Sequence, residues 1–213
     1  MECCGPEQPC DDWRHACIHP ETIAYACGAL SRPGILPKHD HDPAELAIAR
    51  GIAEEAARLA GTLEHHSEGS SPLTPLFVTA NRRGAVPNEL TPQAIRRFFG
   101  DTIFPQAEIV VRPVQRWFDE IATQSRQAIL QYPAELREQM REHLEQSSHK
   151  WQQNWRPLVD YLQSHRQLHS PAYVQVGQDR MSETNFACVF PRLWVGITDR
   201  GSLAGLFAHE VNS

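Results

Sequence analysis

Residues 193–213, LWVGITDRGSLAGLFAHEVNS, constrain the fold more tightly than any other stretch of the chain. Residues 193–198 are rich in β-formers, Asp199-Arg200-Gly201 is a turn signal, and a second apolar run extends from Leu203 to Val211. The last position of a three-residue hairpin loop adopts a positive φ that glycine tolerates, which suits Gly201. The pattern therefore predicts a β-hairpin whose second strand carries the carboxy terminus, with only Asn212 and Ser213 beyond it. Chain ends are usually frayed and polar. Here the Ser213 hydroxyl and its carboxylate are expected at a fixed place on the surface.

Upstream, Asp42-Pro43 predicts a helix start, with Asp as N-cap, Pro at the first helical position and Glu45 in the first turn. Leu46, Ile48, Ile52, Ala56, Leu59 and Leu63 trace its apolar stripe, and its end is expected at 64–66, before a loop at 67–72. Residues 76–80 read as a strand. Thr91-Pro92 opens a short helix with Ile95, Phe98 and Phe99 facing inward and Gly100 ending it. Residues 103–111 are an apolar connector or short strand. From Arg112-Pro113 a second long helix presents Val114, Trp117, Phe118 and Ile121 on one face, until Pro133 breaks it. A charged stretch with a narrow stripe of Leu136, Met140 and Leu144 then suits a surface helix. Trp151, Trp155, Leu158, Val159 and Leu162 define another amphipathic helix, and strands are expected at 172–177, 186–190, 193–198 and 203–211.

With 213 residues the chain is long enough to bury a proper core in one domain. Its net charge of −6 provides no basic footprint for a phosphate backbone, so direct DNA masking is disfavoured. An acidic protein is instead steered towards a basic partner, such as an enzyme that itself grips nucleic acid. No apolar run approaches the length of a membrane span. The amino terminus, MECCGPEQPC, lacks the basic and apolar parts of a secretory signal. Five of the six cysteines lie within the first 27 residues, and with no export signal they are expected to be reduced thiols in a cytoplasmic protein.

Residues 1–43 form a Cys/His-rich extension with little periodicity, expected to be loosely ordered; residues 44–213 form the main domain. Cys10, Cys17, His39 and His41 carry the ligand chemistry of the extension, which supports an alternative reading as a metal- or redox-responsive protein. No cofactor is expected in the main domain. The chain has no G-x-S-x-G elbow, H-E-x-x-H, P-loop or dinucleotide fingerprint, so no enzymatic activity of its own is expected. His65-His66 beside Glu68 is the best local acid/base cluster, and a surface position accounts for it more simply than catalysis does.

Three pieces of the chain, taken in order, resemble the nuclease A inhibitor family. Ser67-Glu68 with Pro72 is similar to its S-E-x-x-x-P turn, and Trp117-Phe118-Asp119-Glu120 to its W-[YF]-x-[DE] helix start. Tyr173 to Gly177, Gly196 and Gly201-Ser202-Leu203-Ala204-Gly205 are similar to its carboxy-terminal strands. The resemblance implies an α/β fold, a PR-1-like α-β-α sandwich with helices packed on a mostly antiparallel sheet. It implies inhibition of a magnesium-dependent, sugar-non-specific DNA/RNA endonuclease by plugging its active site. Glu68 would approach the metal, Trp117 would be an aromatic anchor on the nuclease, and Ser213, in place of the family's terminal Thr, would reach into the site. The extension 1–43 and residues 127–150, read as a helical insertion, have no counterpart in that pattern.

Overall fold

The structure, a computed structural model, describes residues 24–26, 29–31, 42–66, 70–80, 87–99, 108–130, 134–177 and 188–212. Within the amino-terminal extension, strands β1 (Ala24–Ala26) and β2 (Ala29–Ser31) pair antiparallel. Helix α1 (Pro43–Ala60) begins as the sequence predicts: the Asp42 carboxylate accepts a 2.9 Å hydrogen bond from the Ala44 N–H, and Pro43 opens the helix. Its buried face is mainly alanine (Ala49, Ala53, Ala56 and Ala60 around Ile52), which lets the helix lie close to the sheet, while Leu46, Ile48 and Leu63 pack at its margins.

The helix ends earlier than its periodicity suggests. Gly61 takes a φ of 55° and its N–H bonds to Ala57 O, a left-handed stop that only glycine adopts without strain. The residues expected to finish the helix instead form strand β3 (Glu64–His66), paired antiparallel with β4 (Ser70–Pro72). Strand β5 (Thr74–Val78) follows, then α2 (Pro92–Phe99), where Thr91 Oγ1 caps the Ala94 N–H at 3.1 Å. Strand β6 (Ile109–Pro113) takes in Arg112 and Pro113, so α3 (Val114–Leu130) starts one residue after the expected pair. The two helices expected across 134–162 are a single helix, α4 (Ala134–Ser164), which runs through Pro157.

Strands β7 (Leu168–Val176), β8 (Cys188–Thr198) and β9 (Leu203–Asn212) complete a five-stranded, wholly antiparallel sheet in the order β5-β9-β8-β7-β6. The carboxy-terminal hairpin is present, with Gly201 at φ 87° and Thr198 N–H bonded to Ser202 O. One expectation fails here, because 186–190 and 193–198 are not separate strands. β8 runs continuously past Pro191, which faces His209 of β9. The Thr198 N–H donates to Ser202 O and so points towards β9; by the alternation of an antiparallel pair the backbone nitrogen of Pro191 points away from β9. On that other side the pairing with β7 begins only at Arg192, so the missing N–H breaks no ladder bond.

Four helices pack on this sheet, an α/β arrangement. On one face α1, α3 and α4 bury Ile52, Val114, Phe118, Trp155, Leu158 and Leu162 against Phe77, Tyr173, Trp194 and Leu206. On the other face α2 contributes Ile95 and Phe99, packed with Leu76, Val174, Leu193, Val195 and Ile197. Adjacent β8 residues thus belong to opposite faces, as the two-residue strand period requires. No helix among the described residues is long and apolar enough to cross a membrane.

Candidate functional site

Two three-residue strands are too short to hold themselves together, so the β3–β4 hairpin depends on what it leans against. It leans on the last part of β9. The His209 N–H donates to Ser71 Oγ at 3.0 Å, and His65 Nε2 lies 3.0 Å from Glu210 Oε2. Beneath them, Arg192 of β8 donates from Nε to the same Glu210 oxygen at 2.8 Å. Arg192 is 0% exposed, and its Nη1 is committed to the carbonyls of Val176 (3.2 Å) and Pro191 (3.0 Å). A guanidinium so enclosed sets the place of the carboxylate that neutralises it. The Glu210 and His65 side chains are each 17% exposed, so the cluster opens to solvent only at its outer edge.

The electrostatics follow from this packing. Burial works against ionisation of Glu210, yet the His65 hydrogen bond and the charge and hydrogen bond of Arg192 outweigh it and hold the carboxyl at about 2. Glu210 is therefore a carboxylate at neutral pH. His209, on the opposite face of β9, has its pKa lowered by burial first and by the charge of His65 second.

An aromatic stack connects this cluster to the core. The His65 ring meets Trp194 edge-on at 5.7 Å, and Trp194 meets Trp117 at 5.5 Å. Trp117 is further enclosed by Tyr173, stacked at 5.0 Å, by Trp155 at 5.1 Å and by Trp151 at 5.9 Å. Trp194 is wholly buried and its Nε1–H meets no acceptor among the described residues. Leaving that donor unpaired costs about 1–3 kcal/mol, offset by the packing of so many rings.

Of the three residues expected to touch a partner, Trp117 is a core residue. It is 5% exposed, with its faces and edges taken by four other rings, whereas an interface anchor must present its ring to the partner. Its spacing on α3 already pointed to a buried face, and the structure bears that half of the expectation out. Glu68 and Ser213 lie outside the described residues, as do Cys10, Cys17, His39 and His41. The described residues that flank Glu68 and Ser213 are nonetheless brought together, by the His65–Glu210 and Ser71–His209 contacts. Among the described residues no group of three or more His, Cys, Asp and Glu side chains is placed to hold a metal ion.

A second polar cluster closes the other end of β8. Thr198 Oγ1 donates to the buried Glu45 carboxylate and accepts from the Ser202 N–H at 3.0 Å, while Ser202 Oγ accepts from the Ala80 N–H at 3.0 Å. Arg200 pairs with Asp42 at 2.7 Å. This network ties α1 and β5 to the hairpin turn, and every group in it is used in that task.

No protein-family model matches the chain, and no curated protein matches it. The site residues that sequence reasoning missed are Arg192 and Glu210. One signal was available, since Arg192 is a lone charge inside the apolar run VFPRLWVGI. A charge in a buried strand needs a partner, and that need by itself does not name one.

Proposed function

We propose that this chain is a protein inhibitor that plugs the active site of a magnesium-dependent, sugar-non-specific endonuclease. The finer fold assignment, a PR-1-like α-β-α sandwich, and a cytoplasmic location belong to the same reading. The observation that supports it is the docking of the β3–β4 hairpin on the end of β9. Strands β3 and β4, which flank residues 67–69 in the chain, are thereby neighbours of the last part of β9. Such a nuclease holds a divalent metal beside a basic cleft that normally receives a scissile phosphate. In this reading the Glu68 carboxylate and the Ser213 hydroxyl offer oxygens in the place of phosphate oxygens. The net charge of −6 favours approach to a basic cleft.

Plasmid digestion by a magnesium-dependent non-specific nuclease, with and without the protein, tests the reading. The wild-type chain is expected to protect DNA at near-stoichiometric concentration. Glu68→Ala and a chain lacking Ser213 are expected to lose protection while unfolding at the same denaturant concentration as wild type. A wild-type protein that leaves digestion unchanged across such nucleases overturns the proposal; protection retained by both variants overturns the site.

A further inference from the structure

We infer that the buried Arg192–Glu210 pair, acting through His65, positions the β3–β4 hairpin, with His65 as its positioning residue. This deepens the inhibitor reading and rests on it for the role of Glu68.

The argument begins from what the hairpin lacks. Its register is Glu64 to Pro72, His65 to Ser71 and His66 to Ser70, three pairs among the described residues. A ribbon of that length is marginal in water, so its place relative to the sheet comes from outside itself. Two contacts supply it, one for each strand: His65 to Glu210 from β3, and Ser71 to the His209 N–H from β4. They grip adjacent residues of β9, and a ribbon held at two points cannot pivot about either.

The second step concerns what holds Glu210. A buried ion pair is a poor way to gain stability, because apolar residues of similar volume do as well or better. Its physical merit is direction. Arg192 is wholly enclosed and its Nη1 is spent on two backbone carbonyls, leaving Nε aimed at Glu210 Oε2. That oxygen is the one His65 Nε2 reaches. The position of His65 is therefore referred to the backbone of β7 and β8, the centre of the sheet. The edge contact of its ring with Trp194 limits rotation of the imidazole about that bond. Strands held to this tolerance meet a partner with a smaller ordering cost at the moment of binding.

The test pairs amide hydrogen exchange with inhibition. His65→Ala removes the link, His65→Gln keeps a side-chain N–H in its place, and Ser71→Ala removes the second grip. Gln146→Ala, on the exposed surface of α4, is the control. His65→Ala is expected to speed exchange of the amides of 64–66, 70 and 71 while β7 and β8 keep their protection. It is expected to raise the concentration for half-protection of plasmid by about tenfold or more, the consequence of losing one hydrogen bond to a charged group. His65→Gln is expected to recover most of both effects, and Ser71→Ala to show the exchange effect independently. Unchanged hairpin exchange in His65→Ala overturns the positioning role, whatever the nuclease does. Faster exchange with undiminished inhibition overturns it as well, because the loop would then not need to be held. A wild-type chain that inhibits no nuclease sinks the inhibitor reading alone, and the exchange result still decides whether the pair holds the hairpin.

Discussion

Replacing Glu210 by alanine is the most informative single perturbation of stability in this molecule. The carboxyl is held from its ordinary 4.5 down to about 2. A displacement of that size corresponds to about 3 kcal/mol of preferential interaction with the ionised form. The complementary view starts from Arg192, which is 0% exposed and would lose the carboxylate that neutralises it while keeping the Val176 and Pro191 carbonyls as acceptors. Stranding one partner of a buried pair costs about 3–5 kcal/mol. The two figures describe one interaction from its two ends and are not summed. Urea unfolding at pH 7 is expected to show Glu210→Ala less stable by about 3–4 kcal/mol, with an unchanged dependence on denaturant. The double variant Glu210→Ala with Arg192→Met removes the stranded charge and is expected to be more stable than the single one. The pH dependence supplies an independent check. Because the folded value lies below the unfolded one, the contribution of Glu210 is complete above pH 4.5 and is lost as the pH falls towards 2; Glu210→Ala should lack that segment of the acid transition. A loss below about 1 kcal/mol in the single variant, or a double variant no better than the single, would refute the reasoning.

Three other outcomes follow from the geometry. Gly205 has φ 153° and a Cβ there would stand 2.0 Å from Trp194 O and 2.8 Å from Val195 Cα, so Gly205→Ala is expected to cost several kcal/mol, on the order of 3 or more, or to prevent folding; near-wild-type urea unfolding would contradict it. Trp117→Ala is expected to lose about 3–5 kcal/mol of stability, and Trp117→Phe less, while both protect DNA normally wherever circular dichroism shows them folded; a folded Trp117→Phe that no longer inhibits would restore the indole as a contact residue. The His165 and His209 pKa values are both lowered, chiefly by burial, so their neutral forms favour the fold: stability should begin to fall as the pH drops below 6.5, seen as a declining thermal midpoint that His209→Gln partly removes.

The parts of this fold that the sequence announced are those decided locally. Asp42-Pro43 caps α1, Thr91-Pro92 opens α2, Gly201 turns the last hairpin, and the face of α3 from Val114 to Trp117 and Phe118 is buried, because each depends on residues within a turn or two. The errors arise where a distant segment decides. Residues 64–66 continue a plausible helical pattern, and they become a strand because Gly61 stops the helix and a partner waits at 70–72, itself held by β9. Pro191 reads as a strand break, and it is harmless because β7 starts its pairing one residue later. Even α4 outlasts Pro157, since a single lost bond to Gln153 O is small beside the burial of Trp155, Leu158, Val159 and Leu162 around it.

The candidate site lies at the far end of that scale. His65 and Glu210 are separated by 145 positions, and Arg192 stands between them in the chain. No local pattern predicts that one carboxylate oxygen will serve both. What the sequence does carry is the anomaly itself: a charged residue inside an apolar strand, two residues from a tryptophan that is wholly buried. Burying an ionised group alone is prohibitive, so such a residue either is exposed, which its strand neighbours argue against, or has an acid on an adjacent strand. In the observed hairpin, whose first strand extends past the predicted start at Leu193, the pairing partner of Arg192 is Ala208, and the acid nearest to it on β9 is Glu210, two residues on and on the same face. Register alone, read outward from Gly201, would have led to the pair.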